Sequence, residues 1–187
     1  MLCPYCQNRL RAGAPECPSC RLTFPRTSSL LGATPRLNPI VADTVFVLRP
    51  AEITKIRKRV AQLYWRFPQL TLQVILLECP PPHPLRLHAF WLFNAGAFAS
   101  ESKRGRNNHA ILLTIDPSRA EAAIMPGYGL EELLRPEDLG HLLSTAGLEW
   151  EEKRWAAGIL QVLDGLDQLL EICAIPDGGH SPAAADF

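Results

Sequence analysis

Residues 107–138 read NNHAILLTIDPSRAEAAIMPGYGLEELLRPED, and this stretch decides the fold. His109 to Asp116 is an almost unbroken apolar run of strand length that ends in Asp-Pro. Arg119 to Met125 is a second short run behind a Pro-Ser-Arg turn. Runs without the alternation of a half-solvated strand belong to strands covered on both faces, so the pair predicts a central hairpin. Pro126, Gly127 and Gly129 then break the second strand, and Leu130, Leu133 and Leu134 begin a helical spacing. Tyr128 is thereby placed on a tight turn entering a short helix, at a strand end that can wall a site.

The flanks supply helices to cover such a hairpin. Pro50 suits the first position of a helix in which Ile53, Ile56, Val60, Leu63, Tyr64 and Phe67 recur at helical spacing. Lys55, Arg57, Lys58 and Arg59 fall mostly on its other side, as a solvated back does. Gln69 to Glu78 predicts another buried strand, and Cys79 ends it ahead of Pro80, Pro81 and Pro82. Leu85 to Phe98 predicts a second helix, residues 136–146 a third, and Glu151 to Cys173 a long fourth. Helix, strand, helix, strand pair, helix, helix gives an α/β protein, a three-layer α/β/α sandwich on a small mixed central sheet. His88 has no His or Cys at a helical partner position and reads as a packed or surface histidine. Cys79 and Cys173 read as structural thiols.

The N-terminus carries a different signal. Cys3, Cys6, Cys17 and Cys20 form C-x2-C-x10-C-x2-C, two Cys-Pro-x-Cys knuckles that resemble a short zinc ribbon. Four thiolates in two such pairs can close a tetrahedron around zinc, which would be structural because no position stays open for water or substrate. A piece this small cannot stabilise itself by burial, so the metal would supply most of its folding free energy. Disulfides or a redox pair would require a secretory signal or a surrounding βαβ unit. The ribbon is basic, with Arg9, Arg11, Arg21 and Arg26 against Glu16, but so few cations and aromatics make no strong nucleic-acid signal.

These signals divide the chain into a ribbon at 1–25, a linker at 26–39, an α/β domain at 40–174 and a disordered tail at 175–187. The linker is read as semi-flexible, so that the modules move relative to each other. Alternatively Leu30, Leu31 and Leu37 lie on the main domain and pin the ribbon there. With 187 residues, 47% of them hydrophobic, the chain has material for one sizeable core and one small appendage. Nineteen basic and nineteen acidic side chains cancel, which removes any general electrostatic attraction to nucleic acid or anionic membrane. No run is long enough to span a bilayer and the N-terminus lacks an apolar signal region, so the expectation is a soluble, cytoplasmic protein. No Gly-x-Ser-x-Gly elbow, P-loop or His-Glu-x-x-His site is present, which leaves serine-nucleophile and nucleotide-hydrolysing chemistry without support.

The GYGLE run at 127–131, preceded by strand, turn and strand and followed by a helix, resembles the TPM domain. Founding members of that family include a thylakoid-lumen acid phosphatase, a photosystem II repair factor and an auxiliary protein of acetylcholine receptors. Asp43 with Val45 and Leu48, Thr71 to Leu77, Leu92 with Phe93, and Ala157-Gly158-Ile159 are similar to further family positions, so the resemblance spans about residues 40–173. It implies a cleft beside these loops that binds Ca or Mg in some members. The chain departs from the pattern there. Asn107-Asn108-His109 stands where the family carries Asp-Asn-Gly, and Pro136, followed by Glu137 and Asp138, stands where the family carries Asp. Losing a carboxylate weakens a hard-cation site. The shifted acidic pair either restores it or forms the acidic first turn of a helix, and the helix dipole favours the second reading.

Two functions follow. The first is a TPM-type binding or scaffolding module, with the ribbon as a second contact surface for a protein partner. The alternative is a divalent-cation-dependent phosphatase. Its candidate cleft residues are Asn107, Asn108, Asp116, Tyr128, Glu131, Glu137 and Asp138, with the metal acting on a phosphoryl group.

Overall fold

In the computed structural model, which describes residues 2–11, 14–33, 40–79, 82–95 and 109–174, the two apolar runs pair as a hairpin. β3, here numbered in chain order and spanning Ala110–Asp116, lies antiparallel to β4, Glu121–Pro126, with Ile111 opposite Pro126 and Asp116 opposite Glu121. β2 (Thr71–Leu76) runs parallel to β3 and β1 (Val41–Asp43) parallel to β2, giving a mixed four-stranded sheet of order β1-β2-β3-β4. The order explains the burial. β3 is internal and buried at every position, whereas β4 is an edge strand and only partly covered.

Side-chain alternation divides the sheet into two apolar faces. Leu72, Val74, Leu76, Ile111, Leu113 and Ile115 face one core, which contains Ile56, Val60 and Leu63 of α2 (Pro50–Arg66) and Ile159, Val162 and Leu166 of α5 (Trp155–Ala174). Ile75, Ala110 and Leu112 face the other, against Trp91, Leu92 and Phe93 of α3 (Leu85–Asn94). The result is the expected three-layer α/β/α architecture. Arg59 does not join the solvated back of α2; it bonds Asp164 and Asp167 of α5 at 2.6 and 2.8 Å, while Lys55, Arg57 and Lys58 are exposed. α4 (Pro136–Glu151) packs on α5 through two glycines, since a Cβ on Gly158 or Gly165 would sit 2.2 Å from Trp150 Nε1 or Leu142 Cδ2.

Four local expectations change. Residues 24–31, assigned in part to the linker, form α1 (Phe24–Leu31), whose N-cap Thr23 accepts a hydrogen bond from the Arg26 N–H. β1 had no strand signal of its own because three residues are too few for a period. α4 runs through Gly147 to Glu151, and α5 begins only at Trp155. Leu130, Leu133 and Leu134 lie in consecutive turns and not in a regular helix, with the Leu130 N–H donating to the Gly127 carbonyl at 2.8 Å. Residues 96–98 of the expected second helix, the 100–106 loop, Leu37 and the 175–187 tail lie outside the described residues.

Candidate functional site

The two cysteine knuckles fold identically. Cys3 N–H donates to Asn8 and Gln7 N–H returns to Cys3 at 2.9 and 3.0 Å, and Cys17, Leu22 and Arg21 repeat both bonds at 2.9 Å. Gln7 and Arg21, equivalent in the two turns, both have left-handed backbone, φ 61° and 56°. Each turn aims its sulfurs at the same point, so the four Sγ atoms lie within 4.8 Å of one another. Cys3 to Cys20 and Cys6 to Cys17 are each 3.6 Å, and none of the six cysteines forms a disulfide. A disulfide would need about 2.05 Å, whereas zinc–sulfur bonds of about 2.3 Å give a tetrahedral edge of about 3.8 Å. The Asn8 amide directed at Cys6 lowers that thiol to about 6, while burial pushes Cys20 up to about 12, so without a metal the negative charge settles on one sulfur of the cluster. The cluster therefore suits one tetrahedral, soft-ligand metal ion.

This unit is docked, not tethered. Leu22 joins the cysteines in an apolar cluster with Leu87 of α3, which is fully buried. Phe24 of α1 meets Phe90 of α3 edge-on, ring centroids 6.3 Å apart, and Leu31 packs into the same face. Arg86, also on α3, donates through Nε to the Pro4 carbonyl at 3.1 Å and through Nη2 to the Tyr5 carbonyl at 3.3 Å. The pinning alternative thus describes Leu31, while Leu30 is half exposed.

Docking creates a groove of about 790 Å³ beside the edge strand. Its floor is β4 from Glu121 to Pro126. One wall is the start of α3 (Leu85, Arg86, Phe90) extended outward by Leu2, Cys3, Pro4 and Gln7 of the ribbon. The opposite wall is Leu139, Gly140 and Leu143 of α4, and His83 and Arg119 close one end. Sequence reading missed Arg86, Arg119, Gly140 and the edge itself. The one available signal was Gly140 in mid-helix, where a Cβ would meet nothing within 4 Å.

Of the residues singled out for a cation cleft, the described ones do not form one cluster. Asp116 is completely buried at the far end of the hairpin from Tyr128 and Glu131. Its Oδ1 accepts from the Ser118 N–H and hydroxyl, and its Oδ2 from the Cys79 N–H and Arg119 Nε at 3.0 and 2.9 Å. Burial works to raise its pKa, but the combined donors outweigh burial and hold it below the ordinary carboxylate value. Both oxygens are thus consumed in fastening the hairpin turn to the end of β2. Tyr128, exposed, and Glu131 share a small recess with Phe90, Phe93 and Met125. Glu137 and Asp138 form the acidic first turn of α4, where Asp138 pairs with Arg135 at 2.9 Å. Asn107 and Asn108 lie outside the described residues. Among the described residues, only the four cysteines bring three or more metal-ligating groups together.

The architecture recurs in two solved domains. One is the N-terminal domain of a protein from P. gingivalis, solved by NMR, with TM-score 0.56 and 18% identity over 83% of this chain and 94% of that one. The other is the N-terminal domain of the cg2496 protein from Corynebacterium glutamicum, with TM-score 0.54 and 15% identity over 81% and 90%. At such identities the likeness is one of fold. No family model matches the chain, and no curated protein matches it. Among the described residues, no helix is long and apolar enough to cross a membrane.

Proposed function

We propose that the chain is a TPM-type protein-interaction module in which a zinc-bound ribbon completes a binding groove. The observation that carries this reading is the joint lining of the groove by ribbon and α/β domain. A closed four-thiolate site performs no chemistry on a substrate, so its contribution is to hold Leu2 to Gln7 in place as a wall. Shared fold and the GYGLE turn support the TPM assignment, and an exposed strand edge along the groove's floor supports contact with protein, since a polypeptide can pair with such an edge. The cation-dependent phosphatase ranks second because, among the described residues, no three of the carboxylates Asp116, Glu131, Glu137 and Asp138 come together.

Site-specific photo-crosslinking in the native cell tests the interaction. A photoreactive residue at Leu143, inside the groove, should capture a discrete protein. The same probe at Lys58, on the exposed back of α2, should not, and Cys3→Ser with Cys17→Ser should abolish capture from Leu143. Equal labelling from both positions, or none from Leu143, would reject the groove as a contact surface.

A further inference from the structure

The register of the hairpin determines which backbone groups of β4 are left over. Gly127 N–H donates to the Ala110 carbonyl at 2.8 Å, which fixes the phase of the ladder: every second pair after it, beginning with Leu112 opposite Met125, exchanges hydrogen bonds across β3 and β4. The intervening pairs, among them Leu113 opposite Ile124 and Ile115 opposite Ala122, turn their backbone groups outward. On the β3 side those groups go to β2, as the bond from Leu77 N–H to the Ile115 carbonyl shows at 3.0 Å. On the β4 side the N–H groups of Ala122 and Ile124, and the carbonyls of Ala122, Ile124 and Pro126, face the groove with no hydrogen-bond partner among the described residues.

Exposed edges are ordinarily blunted by a central charge, a bulge or a covering element. The middle of β4 is Ala122, Ala123, Ile124 and Met125, uncharged and continuously paired on its other side. From these facts we propose that the groove binds one extended peptide segment of a partner protein, which adds to β4 as a fifth strand. This rests on the interaction reading above and supplies its mode. The walls select the occupant. α3 with the ribbon, and α4, stand on either side of the edge, so a lone strand of about six residues, about 20 Å long, can enter. A second copy's β4, carrying walls of its own, cannot.

Two features state the segment's chemistry. Arg86 is held only by the Pro4 and Tyr5 carbonyls and pairs with no carboxylate among the described residues, so an Asp or Glu belongs on the α3 side of the segment. Gly140 leaves open space between Leu139 and Leu143, so an apolar side chain belongs on the α4 side.

The test begins with a display library of random peptides about eight residues long, screened against the metal-loaded full chain. The best peptide is then titrated into isotope-labelled protein and followed by amide resonances. Enriched peptides should alternate in polarity and carry one acidic residue. Saturation should move the Ala122 and Ile124 amides and slow their hydrogen exchange. N-methylation of alternate residues on one peptide edge should weaken binding about tenfold or more, and on the other edge leave it unchanged, because only one edge pairs with β4. Gly140→Leu should weaken binding by a similar factor while the fold persists. Absence of enrichment, binding with the Ala122 and Ile124 amides unmoved, or equal effects of the two N-methylated series would each overturn strand addition. Capture from Leu143 alongside any of these results would leave the groove a contact surface of another mode; loss of capture would remove both.

Discussion

His88 was legible as a packed or surface histidine, but which of the two, and in what setting, was not. It is 5% exposed on α3, and its Nδ1 has no hydrogen-bond partner. Burial, then the positive character of His83 and Arg119, push its pKa down to about 4 against the opposing pull of Asp116. Unfolded, it titrates near the ordinary value of about 6.5. Between those two values the unfolded chain binds a proton that the native chain refuses, so stability falls as pH drops from about 6.5 to about 4. The full difference is about 3 kcal/mol. Wild type and His88→Leu, denatured chemically at fixed metal content across this range, should differ by a pH-dependent amount, the wild type losing ground as acid is added. Parallel pH profiles would mean that His88 is not held neutral. No periodicity announces this effect, because His83, Asp116 and Arg119 lie outside α3 and act on His88 together only in the folded chain.

At the scale of elements, the long apolar periods were readable and the short or glycine-bearing pieces were not. α2, β2, β3, β4 and α5 carried their own patterns, whereas β1 has three residues and α1 eight, with Ser, Thr and Pro among them. Thr23 ahead of Pro25 was the missed start signal of α1, an N-cap followed by a proline in the first turn. The glycines of α4 and α5 look alike in sequence yet do opposite things. Gly158 admits the indole of Trp150, which is 2% exposed, so Gly158→Ala should cost about 1–3 kcal/mol by overpacking. Gly140 has open space, so Gly140→Ala should stabilise α4 by about 0.5–1 kcal/mol through reduced backbone entropy. Thermal unfolding of the two variants checks the pair. Stabilisation in both would show that the α4–α5 contact does not depend on close approach at Gly158, and destabilisation in both that Gly140 lacks the open space.

For the whole molecule, layered architecture followed from the order of helices and strands, and the four-cysteine cluster from its spacing. The groove could not be read that way. It exists because Arg86, Leu87 and Phe90 of α3 seat the ribbon and α1 beside an edge strand nearly a hundred residues further along, a relation that only tertiary packing creates. The cation cleft was argued from residues close in sequence, and the hairpin carries Asp116 to the opposite end of the strands from Tyr128. The central claim is that a metal-organised ribbon is one wall of a groove whose floor is independently stable. It is tested most directly by hydrogen exchange of the full chain before and after removal of bound zinc with a chelator. The purified protein should contain zinc and, after its removal, show faster exchange across residues 2–11 and 14–31 and the first turns of α3. The amides of β2 and β3, and those of Ala123 and Met125 on the β4 floor, should keep their protection. Unchanged protection of the ribbon without metal would mean that the metal does not organise it, and collapse of β2 and β3 together with it that the floor has no stability of its own.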